Sequence, residues 1–259
     1  ITSRAIRCLR QLGRRYAAPM HIHVIFLIGA NMTKRVFPEK EKFASCPYDE
    51  RILEYYEGVF DSVYIMLHPF ICPINIDRFC AERWPSKHEM IKNCKAVSWH
   101  AVLEMSGLKT ISEIDIGLRS YIGGINKKLS NADYVERLVS TVKRNQLIFP
   151  LEGDLSPLIE NRIFNALRKT GYDWAWVGNE HGTERKLWWL EDLMEGDEVP
   201  SHGCIFTHDH SILITTHWDS HCSFLCSSKK IIERILKIES FEGFYCTPNT
   251  EVYWGAYEI

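Results

Sequence analysis

The chain has 259 residues, 46% hydrophobic, 25% charged and 12% aromatic, with a formal net charge of −2. That composition excludes a disordered, collagen-like, coiled-coil or multi-span membrane protein, and it leaves room for one large domain or two small ones with a real core. The charge is uneven: residues 1–38 hold Arg4, Arg7, Arg10, Arg14, Arg15, Lys34 and Arg35 with no acid, and the remainder carries −9. An acidic body repels phosphate backbones, so no nucleic-acid partner is expected.

Residues 1–31 read as a non-native extension or a targeting segment, with Met20 and Met32 as candidate starts. Their apolar run Val24–Ile28 is too short to span a membrane, and no membrane partner is expected. Residues 32–259 are expected to form a single α+β domain. Tyr48 to Phe60 places Ile52, Leu53, Tyr56 and Val59 on one helical face. Ser62–Leu67 is a short apolar run that reads as a buried strand, ended by His68-Pro69. Ser86, with Glu89 three residues on, opens a helix from Lys87 to about Met105, stopped by Gly107. A second helix is expected from about Ser112 to Leu129, weakened by Gly123-Gly124, and a third, capped by Ser130, from Ala132 to Arg144. Ser156-Pro157 starts a fourth, which stops at Gly171.

Beyond Gly171 the period changes from helical to two. Trp174–Gly178 alternates as a strand does, and Lys186–Leu193 suits either a strand or a short helix. Glu195–Ser201 is an acidic loop. Cys204–Thr207, Ser211–His217 and Cys222–Cys226 read as strands joined by turns at His208–His210 and Trp218–His221. Lys229–Ile238 is a helix, and Gly243–Trp254 offers one or two closing strands. The order predicts an α+β fold with a helical N-terminal half packed on a mainly antiparallel C-terminal sheet.

The densest chemistry lies between His202 and Cys226. His208, His210, His217, Asp219 and His221 are the candidate metal ligands, since imidazoles and carboxylates on one face of a meander are the materials of a zinc or iron site. The motif is broken, however. His208-Asp209-His210 opens like a metallo-hydrolase motif, but Ile212 and Leu213 stand where Asp and His are needed, and His88-Glu89 lacks the second histidine of a zincin helix. The plainer explanation is polar hairpin turns. Glu180 and His181, after the Trp174 strand, are candidate catalytic acid–base residues, with a turn built on Gly182 as the alternative. No P-loop, G-x-G-x-x-G, G-x-S-x-G or C-x-x-C occurs, so nucleotide use, esterase chemistry and a thioredoxin-like pair have no anchor. Nine cysteines without such spacing fit reduced thiols and a cytoplasmic setting.

Trp174, Trp176, Trp188, Trp189, Trp218 and Trp254 crowd the second half, as core or as a partner surface. Adjacent Trp188 and Trp189 cannot share one face of a strand. Asp61–Phe70, Thr207–Cys226 and Phe241–Trp254 resemble an uncharacterised domain-of-unknown-function family of Bacillus-type bacteria. The resemblance implies a bacterial cytosolic protein and supplies no activity. Two functions stand open. One is a non-catalytic protein-binding factor of inhibitor or immunity type that needs no cofactor. The other is a metal-dependent hydrolase, with zinc as a candidate metal, using the His/Asp cluster.

Overall fold

The computed structural model describes residues 39–74, 85–179, 182–196 and 203–257. Segment 1–31 lies outside them. From residue 40 onward the chain forms one compact unit. Its strands are β1 (Ser62–Leu67), β2 (Phe70–Pro73), β3 (Cys94–Val97), β4 (Trp174–Gly178), β5 (Arg185–Trp189), β6 (Cys204–Thr207), β7 (Leu213–Thr216), β8 (Cys222–Ser227) and β9 (Gly243–Tyr245). Its helices are α1 (Ile52–Tyr55), α2 (Lys87–Asn93), α3 (Trp99–Ser106), α4 (Ile111–Ile122), α5 (Ala132–Arg144), α6 (Pro157–Thr170), α7 (Leu190–Glu195) and α8 (Lys229–Ile238). Seven strands form one sheet in the order β5-β4-β6-β7-β8-β1-β9, antiparallel throughout. Strands β2 and β3 form a separate hairpin-like pair. The α+β reading holds, with β1 from the first half threaded between β8 and β9. No helix among the described residues is long and apolar enough to cross a membrane.

The two-residue period divides the sheet into two apolar faces. Val63, Ile65, Leu67, Cys204, Phe206, Phe224 and Cys226 point one way, into a core with Trp99, Val102, Ile114, Leu118 and Leu138 from α3, α4 and α5. Tyr64, Met66, Ala175, Val177, Ile205, Ile214 and Leu225 point the other way, against Ile159, Phe164 and Leu167 of α6, Leu190 of α7 and Ile232 of α8. Both faces are covered along the sheet's centre, which is why β6, β7 and β8 are buried at every position.

Three helical bounds are corrected, and the cap expected at Ser130 falls instead on Asn131, whose side chain accepts from the Asp133 and Tyr134 N–H groups. The run from Tyr48 is helical only over Ile52–Tyr55, because Arg51 is drawn into a bridge with Glu251 and the Ile52 N–H donates to Thr250 O. The helix expected to reach Met105 stops at Asn93. Cys94–Val97 then pairs with β2, and Ser98 caps a fresh helix by accepting from the Ala101 N–H. Pairing with a strand distant in sequence overrides local helical period here. The helix expected from Ser112 to Leu129 ends at Ile122, where Gly123 turns left-handed. Lys186–Leu193 proves to be both alternatives, strand to Trp189 and helix from Leu190.

Strand β9 depends on a missing side chain. An alanine Cβ at position 243 would lie 1.9 Å from the Ile65 carbonyl oxygen. Gly243→Ala is predicted to loosen β9 from β1 and to destabilise the protein by about 1–3 kcal/mol, as overpacking does. In a chain of this size each kcal/mol lowers the melting temperature by roughly 2–4 °C. Thermal melting of the variant against the parent checks this; equal midpoints would contradict the close approach.

Candidate functional site

Two regions of the unit could serve a function: a buried polar cluster at one end of the central strands, and an aromatic surface where the sheet ends at β5. The polar cluster is organised by Arg119 and Asp115, one helical turn apart on α4 and both fully buried. Arg119 Nε donates to both Asp115 oxygens, at 3.1 and 2.9 Å. Its two terminal nitrogens donate to the backbone carbonyls of Asp219 (2.7 Å) and Val252 (3.0 Å). The guanidinium also lies 4.7 Å from the Tyr253 ring. A charge taken out of water needs partners inside the protein, and each of the three guanidinium nitrogens has one here.

Around this pair sit three buried histidines. His217 Nε2 donates to the Tyr48 carbonyl at 3.0 Å, and Nδ1 accepts from the Asp219 N–H at 3.1 Å. His68 Nε2 lies 2.8 Å from Ser223 Oγ, which lies 2.6 Å from Thr216 Oγ1. His221 continues the β1–β8 ladder, its carbonyl accepting from the His68 N–H, and its Nδ1 has no partner among the described residues. Burial pushes His68 down to about 4. Burial, helped by Arg119, pushes His217 and His221 down to about 3. All three are neutral at pH 7. At the exposed rim, Glu152 is pushed up to about 7 by desolvation and by the Asp219 carboxylate. Asp219 also lines an open cleft of about 400 Å³ with Asp49, Asn126, Tyr253 and Tyr257.

The structure divides the candidate metal ligands between two places. His208 and His210 lie exposed on the β6–β7 turn, and His217, Asp219 and His221 lie on the β7–β8 turn. Four-residue β7 runs between the turns and holds them roughly 13 Å apart at 3.3 Å per residue. His210 stacks on Phe43, with ring centroids 3.7 Å apart. Asp209 accepts from Thr207, Ser211 and Tyr172, and these bonds outweigh partial burial and hold it down at about 2. His208 sits edge-on to Tyr172 at 5.8 Å. Among the described residues, no three His, Cys, Asp or Glu side chains are placed to hold one metal ion. Glu180 and His181 lie outside the described residues; Gly182 beside them is left-handed, with φ of 71°. No disulfide joins any two of the seven described cysteines. Sequence reading passed over Asp115 and Arg119, although their i,i+4 spacing beside Ile114 and Leu118 was the available signal.

At the other region, cross-strand partners place Trp174, Trp176, Arg185, Leu187 and Trp189 on one face of β4 and β5. Trp188, on the opposite face, packs into the core with α6 and α7. Trp174 and Trp189 meet edge to face at 4.9 Å. Trp174 is nevertheless 42% exposed and Leu187 39%. Strand β5 is also the end of the sheet. The Asn179 N–H donates to Glu184 O, and the Leu190 N–H to Asp173 O. Antiparallel strands alternate inward and outward bonding, so Arg185, Leu187 and Trp189 aim N–H and C=O away from β4. No strand pairs with that edge among the described residues.

A protein-family model described as "Protein of unknown function (DUF2711)" matches residues 48–256, spanning all three stretches that carried the resemblance. No curated protein and no solved structure matches.

The buried histidines predict a pH dependence. Below about pH 6.5 the unfolded chain binds protons at His68, His217 and His221, and the folded chain does not until about pH 4 to 3. Glu152 and Glu160, raised to about 7 and about 6 in the folded state, oppose this loss down to their ordinary range near 4.5. Below that Asp115 and Asp219, also raised by burial, still oppose the histidines down to the ordinary aspartate range, and each histidine that stays neutral in the folded chain removes up to about 1.4 kcal/mol per pH unit. Urea melts between pH 7 and 3 are expected to show the steepest loss below about pH 4.5, with a slope one proton smaller in His221→Gln. An unchanged slope in that variant would contradict the buried neutral assignment.

Proposed function

The chain belongs to the DUF2711 family of proteins of unknown function, and from that premise we propose that it is a non-catalytic protein-binding factor of inhibitor or immunity type. The proposed docking surface is the aromatic end of the sheet. The observation that carries this reading is the exposure of Trp174 and Leu187 beside half-buried Trp176 and Trp189, next to a strand edge that no strand among the described residues pairs with. Tryptophan is enriched at binding hot spots because one rigid side chain covers much area. Natural sheets cover or blunt such an edge, and extended segments of other proteins bind to those left open.

The polar cluster supports the same reading from the other side. Its histidines are neutral and mostly committed to internal bonds, and each nitrogen of its one arginine is bonded to Asp115 or to a backbone carbonyl. Such a cluster holds chain segments together and leaves few groups to meet a substrate. The factor would act on a protein partner, without cofactor, nucleic acid or membrane, in the bacterial cytoplasm that the family resemblance implies.

A photo-reactive residue placed at position 187 tests this, with one at position 257 beside the polar cleft as the comparison. The reading predicts a partner adduct from 187 and none from 257. It also predicts that Trp174→Ala weakens binding of the identified partner by about 1–2 kcal/mol, roughly 5- to 30-fold. Adducts from 257 alone would transfer the working surface to the polar end and overturn the proposal.

A further inference from the structure

We propose that two copies of this chain join edge to edge through β5, about a two-fold axis that passes midway between their two Leu187 residues. This goes beyond the partner-docking reading, because it commits the strand edge that both readings use to a second copy of this chain in one register.

The backbone carries the argument. Leu187 is the middle residue of β5, and the outward-bonding residues are Arg185, Leu187 and Trp189. An antiparallel second copy can form full bonds only by setting outward residues opposite outward residues. With the axis at Leu187 all three are used: Leu187 faces its own copy, and Arg185 faces the second copy's Trp189. Moving the axis to Lys186 would use fewer outward residues and set Lys186 against Lys186, a like-charge clash. Moving it to Trp188 loses the Arg185 pair.

The side chains suit the same register. Arg185 comes opposite Trp189, and Lys186 opposite Trp188, so each cation meets an aromatic ring. Within one chain the same chemistry already occurs, with Lys186 Nζ 4.1 Å from the Trp188 ring and Arg185 5.7 Å from Trp176. Leu187, 39% exposed in the single chain, gains a leucine beside it. Directly opposed residues lie on the same face, so the two Trp174–Trp189 surfaces become one continuous aromatic face. A single strand pair buries little area, so the dimer should dissociate on dilution.

Sedimentation of the full chain from micromolar to submillimolar concentration is the test. The expected mass rises from 30.2 kDa to twice that value. Leu187→Pro removes only an outward N–H and leaves the β4 bonds intact, so it should give a folded monomer, with folding read from its thermal melt. Leu187→Cys should form an interchain disulfide under air oxidation, above the background of the unsubstituted chain, because opposed Cα atoms in such a pair lie about 5.5 Å apart. Lys186→Cys should not. A monomer at every concentration, a dimer that survives Leu187→Pro, or equal cross-linking at 186 would each overturn the proposal. A monomer that still captures a different protein at position 187 overturns this pairing and leaves partner docking standing. An intact dimer that captures nothing does the reverse.

Discussion

A guanidinium taken deep into a protein needs hydrogen-bond partners there, and Arg119 finds them on three separate pieces of chain. Asp115 comes from its own helix, the Asp219 carbonyl from the β7–β8 turn and the Val252 carbonyl from the C-terminal segment. Removing any one leaves part of a charge exposed to a low-dielectric interior, which costs several kcal/mol. Helix α4, the sheet's polar end and the closing segment are therefore assembled together or not at all. The same charge helps keep His217 and His221 neutral. Gly255 completes the arrangement, since a Cβ there would meet Asp115 Oδ2 at 2.6 Å.

The sheet consequently has two unlike regions. At the β7–β8 turn, polar side chains are packed and largely satisfied by one another. At β4–β5, large apolar side chains stand partly in water and a strand edge is open among the described residues. Helices α3 to α5 cover the sheet face over β1 and β8 but leave Trp174 and Leu187 exposed on the same face. Both proposals rest on that asymmetry between a packed polar end and an aromatic end that the helices leave exposed.

Much of this was legible in the sequence. The shift from helical to two-residue period near Gly171 marks the boundary between helices and meander, and Ser86, Gly107, Pro157 and Gly171 bound helices where they should. What was not legible depended on contacts distant in sequence. Cys94–Val97 looks helical by itself and becomes a strand only because β2 is there to pair with it. The five-residue His/Asp cluster looks dense in one dimension, yet β7 parts it in three. The separation of Trp188 from Trp189 followed directly from strand geometry, but the exposure of Trp174 required knowing where the covering helices stop.

Hydrogen exchange on Arg119→Met tests the central claim most directly. If the polar cluster is a lock, amides of 217–222 and 252–255 lose protection together, and the β4–β5 ladder keeps its own. Protection unchanged from the parent would contradict the account, because the cluster would then hold nothing together and its histidines and carboxylates would return as candidates for chemistry.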